Sequence, residues 1–136
     1  MKLIYYKLFL ALVLFSACTK SDEITTPDFQ VSTVSSTYKK GIPIEFIFSG
    51  NPQLISMYTG EVRKDYAFKD GRVTDNVNVG PDLSIPIQGG TSAVEKKSYA
   101  YTYTQAGNYK VYFVAANVSV DHRKEVVRQL DITVTD

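Results

Sequence analysis

The clearest alternation of apolar and polar residues lies in the C-terminal third of the chain, between residues 101 and 117. Apolar side chains recur there at every second position, which places them on one face of a β-strand. These residues are Tyr109, Val111, Phe113 and Ala115. Gly107 precedes them, and a glycine supplies the backbone freedom that a tight corner needs. The pattern therefore predicts a corner followed by a long strand through a hydrophobic core.

Shorter segments with the same period predict further strands before and after this one. Turn-forming residues separate them, as in Gly50–Asn51–Pro52. The predicted strands are residues 28–34, 42–49, 53–59, 66–68, 72–79, 97–104 and 125–136. No helical period is visible after the N-terminal segment. Many short strands separated by turn residues predict an all-β fold, and specifically an antiparallel β-sandwich.

Residues 1–17 have the pattern of a secretory signal peptide. Lys2 and Lys7 form a basic start, residues 8–15 are an apolar run, and the small residues Ser16 and Ala17 follow. The apolar run is too short to cross a bilayer as a helix. We therefore expect residues 1–17 to be removed from the mature protein.

The residue after this segment, Cys18, is the only cysteine of the chain. Phe15–Ser16–Ala17–Cys18 resembles a bacterial lipobox, in which the cysteine is acylated and becomes the new N-terminus. An odd cysteine in a secreted chain needs an explanation, and several acyl chains would anchor the protein stably. The resemblance implies lipidation at Cys18. The alternative is an ordinary cleaved signal peptide with a cysteine nearby by chance.

Residues 18–27 are polar, lack any period and end in Pro27, which predicts a flexible tether. Residues 20–23 of this segment are similar to the short acidic export signal of Bacteroidetes surface lipoproteins. That similarity implies a lipid-anchored protein of the outer membrane that faces the cell exterior. A solvated linker that happens to be acidic is the alternative interpretation.

Residues 28–136 have the length of one sandwich domain. Cleavage after residue 17 would remove two lysines and leave 13 basic against 14 acidic residues, a net charge of −1. There is no basic excess that would favour nucleic acid as a partner. We therefore expect contact with the membrane through the anchor at Cys18 and no binding of nucleic acid.

The C-terminal pattern Tyr103, Gly107, Tyr109 and Val111, ending in Asn117, resembles the second half of the PKD repeat, an immunoglobulin-like β-sandwich. The resemblance implies that Tyr109 forms a tyrosine corner, with its hydroxyl bonded to the backbone upstream. The N-terminal half lacks the usual motif of that repeat. In its place stand residues 48–52 (Phe-Ser-Gly-Asn-Pro) and 55–61 (Ile-Ser-Met-Tyr-Thr-Gly-Glu), followed by Tyr66. That combination is similar to an uncharacterised family of Bacteroidetes lipoproteins whose domain follows the lipid anchor.

Tyrosines are the main candidates for a binding surface, because aromatic faces can stack against sugars. Tyr99, Tyr101 and Tyr103 share one side of a predicted strand, and we expect this stripe to belong to the core. The candidates for an exposed platform are Tyr58, Tyr66 and Tyr112.

Glu61 is the acidic candidate for the same binding surface as these tyrosines. The alternatives for it are a structural role or, with Asp65, acid–base chemistry. His122 is the only histidine and lies in a polar predicted hairpin tip, which argues against a catalytic triad or a zinc site. A calcium site is the less favoured interpretation of the acidic loops that contain Asp70, Asp75, Asn76 and Asp82. We predict no metal, no cofactor and no enzymatic activity.

The sequence thus predicts a non-catalytic surface module for binding or adhesion, accessory to the capture of polysaccharide. That ligand follows from the resemblance to lipoproteins of glycan-uptake systems. One alternative is a structural module that docks to another envelope protein through the edge formed by residues 28–34. Another is a small hydrolase that uses Glu61 and a second carboxylate.

Overall fold

The computed structural model describes residues 23–89 and 95–136. The predicted signal peptide and the predicted lipidation at Cys18 lie outside these residues. Within them the chain forms ten strands and one short 3-10 helix, so the predicted all-β class is confirmed. The strands are β1 Phe29–Ser32, β2 Thr37–Lys39, β3 Ile44–Gly50, β4 Leu54–Tyr58, β5 Arg72–Thr74, β6 Val77–Val79, β7 Ile85–Gln88, β8 Ser98–Tyr101, β9 Gly107–Val118 and β10 Arg123–Thr135, and the 3-10 helix is Tyr66–Phe68.

Two sheets make up the sandwich. One has the order β1-β3-β8 and the other the order β2-β10-β9-β4-β7, while β5 and β6 form a separate hairpin. The pairs are antiparallel except for β2, which lies parallel to β10. This division into two largely antiparallel sheets is that of a β-sandwich, with β1 and β2 on different sheets. Strand β2 has only three residues and was not predicted from the sequence.

Phe113 of β9 lies at the centre of the core. Its ring centroid is 5.0 Å from that of Phe46 and 5.5 Å from that of Phe48, both on β3 in the opposite sheet. The alternation predicted for β3 is confirmed, since Ile44, Phe46 and Phe48 are buried while the residues between them are exposed. Strand β9 passes through the core as predicted, with Val111, Phe113 and Ala115 all buried.

The corner before β9 is held by tyrosines. The hydroxyl of Tyr109 donates to the carbonyl oxygen of Gln105 at 2.9 Å, the hydrogen bond expected of a tyrosine corner. Tyr103 is buried, stacks on Tyr109 at 4.2 Å between centroids, and donates to the carbonyl oxygen of Thr59 at 2.8 Å. Tyr99 and Tyr101 also pack against the core, so the prediction that this stripe is interior is confirmed.

Two predictions for the middle of the chain are wrong. Residues 66–68 form a 3-10 helix and not a strand, because the Asp65 side chain caps the backbone N–H of Ala67. Residues 72–79 form two strands and not one. Asp75 and Asn76 both adopt positive φ, 50° and 62°, which makes the tight turn of a hairpin.

The described part of the predicted tether, residues 23–27, contacts the domain. Pro27 is buried, and the carbonyl oxygen of Thr25 accepts a hydrogen bond from the Asn117 side chain at 3.1 Å. The chain therefore meets the sandwich at the end where β9 finishes. No helix in the described ranges is long and apolar enough to span a membrane.

Candidate functional site

Tyr58, Tyr66 and Tyr112, the three predicted surface tyrosines, meet on the outer face of the five-stranded sheet. Tyr58 on β4 and Tyr112 on β9 are directly paired across the sheet, and both point away from the core because their neighbours Met57 and Phe113 point into it. Tyr66 belongs to the 3-10 helix. Its ring stacks on that of Tyr112 at 4.8 Å and meets that of Tyr58 edge-on at 5.3 Å. We call these three residues the tyrosine cluster.

The tyrosine cluster is not a flat platform. The rings of Tyr66 and Tyr112 are 22° from parallel and cover one another, whereas the rings of Tyr58 and Tyr66 are inclined by 77°. All three side chains are half-buried. The cluster therefore offers ring edges and hydroxyl groups to a ligand more than three coplanar faces.

The hydroxyl groups distinguish this cluster from three of the tyrosines that pack in or against the core. Tyr101, Tyr103 and Tyr109 each donate to a protein oxygen. Among the residues that the structure describes, no protein group is hydrogen-bonded to the hydroxyls of Tyr58, Tyr66 or Tyr112. A polar group at a protein surface that lacks an internal partner binds water or a ligand. The cluster thus has three phenol groups that can bind water or a polar ligand, and two of them, Tyr58 and Tyr66, line a cavity.

A cavity of about 290 Å³ opens beside the cluster. Ser56 of β4 and Val114 of β9 contribute to it from the sheet. The other lining residues are aromatic or polar: Tyr58, Tyr66, Lys69, Asp70, Ser84, Arg123 and Glu125. Two basic and two acidic side chains leave this cavity without a net charge. It suits a ligand rich in hydroxyl groups, which can both donate and accept hydrogen bonds.

The basic residue nearest the cluster is Lys69. Its Nζ lies 5.8 Å from the centroid of the Tyr66 ring, within the range of a cation–π contact. It also pairs with Asp70, and the hydrogen bond to that carboxylate raises the pKa of the Lys69 ammonium. Because Lys69 is exposed, a ligand can displace it from the Tyr66 ring at little cost.

A buried carboxylate holds the segment that carries Tyr66. The Asp82 side chain is 0% exposed and accepts hydrogen bonds from Arg72 Nη2 at 3.1 Å and from the backbone N–H of Asp65 at 2.9 Å. Asp65 in turn caps the 3-10 helix, and Arg72 lies 4.4 Å from the centroid of the Phe68 ring. Sequence reasoning missed this role of Asp82, since an aspartate in a Gly-Pro-Asp loop is usually solvated.

Glu61 lies at a different place from the tyrosine cluster cavity. Its Oε2 accepts hydrogen bonds from Thr59 Oγ1 at 2.8 Å and from the Tyr101 hydroxyl, with Lys64 Nζ at 4.0 Å. Burial, and next the hydrogen bond to Glu61, raise the pKa of Tyr101 to about 12. Glu61 also lines a second open cavity, of about 380 Å³, with Lys64, Thr104 and Gln105.

The partners of Glu61 are thus a threonine, a tyrosine and a lysine. The carboxylate of Asp65, the predicted second acid, accepts from the backbone N–H of Ala67 at 2.9 Å. In the described ranges no three His, Cys, Asp or Glu side chains lie close enough to hold a metal ion. Asp70 and Asp82, two members of the less favoured calcium set, are paired with Lys69 and Arg72.

The predicted docking edge is short and partly occupied. Strand β1 does lie at the edge of its sheet, as predicted, but it has four residues. The carbonyl oxygen of Phe29 accepts a hydrogen bond from Nε of Arg128, a residue of β10, at 3.1 Å. A partner strand would have to displace this contact before it could pair along β1.

Fold and site together describe an all-β sandwich with an aromatic and polar surface on its larger sheet. Residues 17–133 match the family described as a domain of unknown function, DUF5017. The chain belongs to that family, because the match covers most of its length. No curated protein matches the chain.

Proposed function

We propose that this protein is a non-catalytic binding module whose ligand is a carbohydrate, and that the tyrosine cluster with its adjoining cavity is the binding site. The observation that carries the proposal is the contrast between two sets of tyrosines. Tyr101, Tyr103 and Tyr109, which pack in or against the core, donate their hydroxyls to protein oxygens. The hydroxyls of the cluster have no hydrogen-bond partner among the described residues, and Tyr58 and Tyr66 line a cavity of mixed polarity. Sugars combine apolar ring faces with many hydroxyl groups, and aromatic and polar side chains recognise both features.

The proposal includes an anchor at Cys18, which would place the domain on the outer membrane, facing the exterior, as an immunoglobulin- and PKD-like surface lipoprotein. Support comes from the apolar N-terminal segment and the lipobox-like residues before Cys18. The family match begins at residue 17, so the cysteine and the segment after it belong to the matched region. A lipid-anchored module of this kind would hold polysaccharide at the cell surface for other proteins.

Replacement of the cysteine tests the anchor. The Cys18→Ser variant, expressed from its own signal segment, should move from the membrane fraction to the soluble fraction, because a serine cannot carry the thioether-linked lipid. Cell fractionation followed by immunoblotting measures the distribution. Ser21→Ala, three residues downstream, should leave the protein in the membrane fraction. Retention of the Cys18→Ser variant in that fraction would contradict the proposed anchor.

The binding site is tested with the soluble chain that starts at residue 19, so that residues 23–27 and their contacts are kept. We expect this protein to bind a subset of polysaccharides on a glycan array. Tyr66→Ala should then weaken binding by at least about tenfold, equivalent to about 1.4 kcal/mol, because it removes the central ring of the cluster. Isothermal titration calorimetry with the best glycan measures the change.

Two controls make this result specific. Tyr66→Phe keeps the ring contacts with Tyr58 and Tyr112 and should have a smaller effect, which isolates the contribution of the hydroxyl group. Val62→Ala changes an exposed side chain in a neighbouring turn and should bind as the unaltered protein does. No binding to any polysaccharide would overturn the carbohydrate proposal and favour docking to another envelope protein.

A further inference from the structure

The N-terminal segment leaves the sandwich at one particular end. Asn117, near the end of β9, donates from Nδ2 to the carbonyl oxygen of Thr25 at 3.1 Å, and its Oδ1 accepts from the backbone N–H of Gln53 at 3.1 Å. Glu23 and Ile24 line an open cavity of about 460 Å³ together with Val118. Residue 23, the first residue that the structure describes, therefore lies beside the β9–β10 hairpin.

The distance from this departure point to Cys18 is limited by covalent geometry. Residues 18–22 are five residues, and a fully extended chain spans at most about 3.6 Å per residue, or about 18 Å. Strand β9 alone has twelve residues and is about 40 Å long. If Cys18 carries the lipid, as the proposed function states, the hairpin end of the domain lies within about 18 Å of the membrane surface. The other end of β9 has no such tether and is free to point away from the membrane.

The tip of that hairpin has the chemistry of a membrane-surface contact. The backbone N–H of Ser119 donates to the carbonyl oxygen of His122 at 2.9 Å, which closes the turn and projects Val120 into solvent with 99% of its surface exposed. Val118 is partly exposed next to it. Arg123 and Lys124 follow and are both exposed. Arg123 pairs with Glu125 at 3.0 Å, which leaves Lys124 as the basic side chain of the tip that is not in a described ion pair. Single exposed valines are common on protein surfaces. The significance of Val120 lies in its position beside the segment that leads to Cys18.

We infer that the tip of the β9–β10 hairpin, residues 118–124, rests on the lipid surface beside the anchor, with Val120 at the apolar boundary and Lys124 near the anionic headgroups. Apolar side chains and basic residues are the two features that hold protein segments at a bilayer interface. The hydrogen bond between Asn117 and Thr25 would keep the anchor segment next to this tip. The domain would then stand on the membrane with β9 directed outward.

This orientation leaves the tyrosines of the proposed binding site accessible. Tyr112 lies six residues from Val118 along β9, which corresponds to about 20 Å. The tyrosine cluster faces sideways from the sheet, so a polysaccharide could lie across it, while the part of the cavity lined by Arg123 lies nearest to the lipid. The turn that contains Val62 is farther still, because Gly60 contacts Lys110 at the opposite part of β9.

The composition of the chain allows a direct test that does not depend on biological lipidation. The mature chain from Cys18 to Asp136 contains one cysteine and no tryptophan. Its thiol can therefore be coupled at a single position to a maleimide lipid in vesicles of phosphatidylcholine and phosphatidylglycerol. Val120→Trp then places one fluorophore at the hairpin tip, and Val62→Trp places the matched fluorophore at the far end, where Val62 is 89% exposed.

On coupled vesicles, the tryptophan of Val120→Trp should shift its emission to shorter wavelength and lose at least about half of its intensity when brominated phosphatidylcholine replaces part of the lipid. The Val62→Trp variant should show neither change. Because an added indole can itself favour lipid, hydrogen exchange of the unsubstituted chain on the same vesicles provides a second measurement. The amides of residues 119–123 should become protected, and those of residues 61–64 should not.

Equal quenching of the two variants, or no added protection at residues 119–123, would overturn the inference. Absence of lipidation at Cys18 in cells would not change this result, because the chemical coupling replaces the lipidation step. Failure of the carbohydrate proposal is distinguished as well, because the experiment contains no glycan.

Discussion

Replacement of Gly50 by alanine should destabilise the domain by about 2–5 kcal/mol. Gly50 ends β3 with φ at +99°, and a Cβ atom there would lie 1.9 Å from the carbonyl oxygen of Asp28. A side chain with positive φ costs about 1–2 kcal/mol, and displacing packed neighbours costs typically about 1–3 kcal/mol more. The clash is with backbone, so it can be relieved only by moving β1. Phe29, which is fully buried, would move with that strand.

Gly41→Ala is the matched control for this prediction. Gly41 also has positive φ, at +78°, but nothing lies within 4 Å of the Cβ position. Its substitution should therefore cost only the conformational part, about 1–2 kcal/mol. Urea denaturation of both variants, with the midpoint as the readout, separates the two contributions. Equal midpoints for Gly50→Ala and Gly41→Ala would show that β1 does not pack against β3 at this point as described.

The predictability of the fold varied with the regularity of the segment. Strands β3, β9 and β10 were predicted because each keeps its apolar residues at period two over at least seven residues, as Ile132 and Val134 do in β10. Such a pattern is readable when one face packs on a core and the other meets water. Strand β2 has three residues, too few to establish a period, and its pairing with β10 joins residues 96 positions apart in sequence.

The segment between β4 and β7 could be predicted only in part. Its short elements are fixed by single polar contacts, and the Asp65 cap and the Asp75–Asn76 turn decide conformations that periodicity cannot reveal. Tyr58, Tyr66 and Tyr112 were predicted as surface candidates one by one. Their contact could not be predicted, because Tyr66 and Tyr112 are 46 positions apart and meet only through the fold of this segment.

The buried ion pair beneath this segment was the least predictable feature. Charged residues are almost never fully buried unless paired, and a sequence does not show which partner comes near. Asp82 is satisfied by Arg72, ten residues earlier, and by the backbone of Asp65. Once the pair is known, the hairpin of β5 and β6 has a clear role: its first residue, Arg72, reaches the carboxylate and covers Phe68.

Replacement of Asp82 by alanine should therefore lower the free energy of unfolding by about 3 kcal/mol and the melting temperature by about 10 °C. The substitution removes both hydrogen bonds of a fully buried carboxylate. It leaves the Asp65 N–H without an acceptor and Arg72 without its counter-ion. Removing one partner of a buried pair costs about 3–5 kcal/mol, and the value here lies at the lower end because the Arg72 side chain is 22% exposed and can regain water.

Asp70→Ala is the matched control for this substitution, since Asp70 is an aspartate of the same segment whose pair with Lys69 lies at the surface. Thermal unfolding should not change measurably in that variant. A local readout separates loss of the segment from general loss of stability: well below the melting temperature, the ring resonances of Tyr66 and Tyr112 should lose their mutual shielding in Asp82→Ala and keep it in Asp70→Ala. Unchanged ring shifts in Asp82→Ala would mean that Tyr66 is held by its ring contacts alone, and that the buried pair stabilises the segment without positioning the cluster.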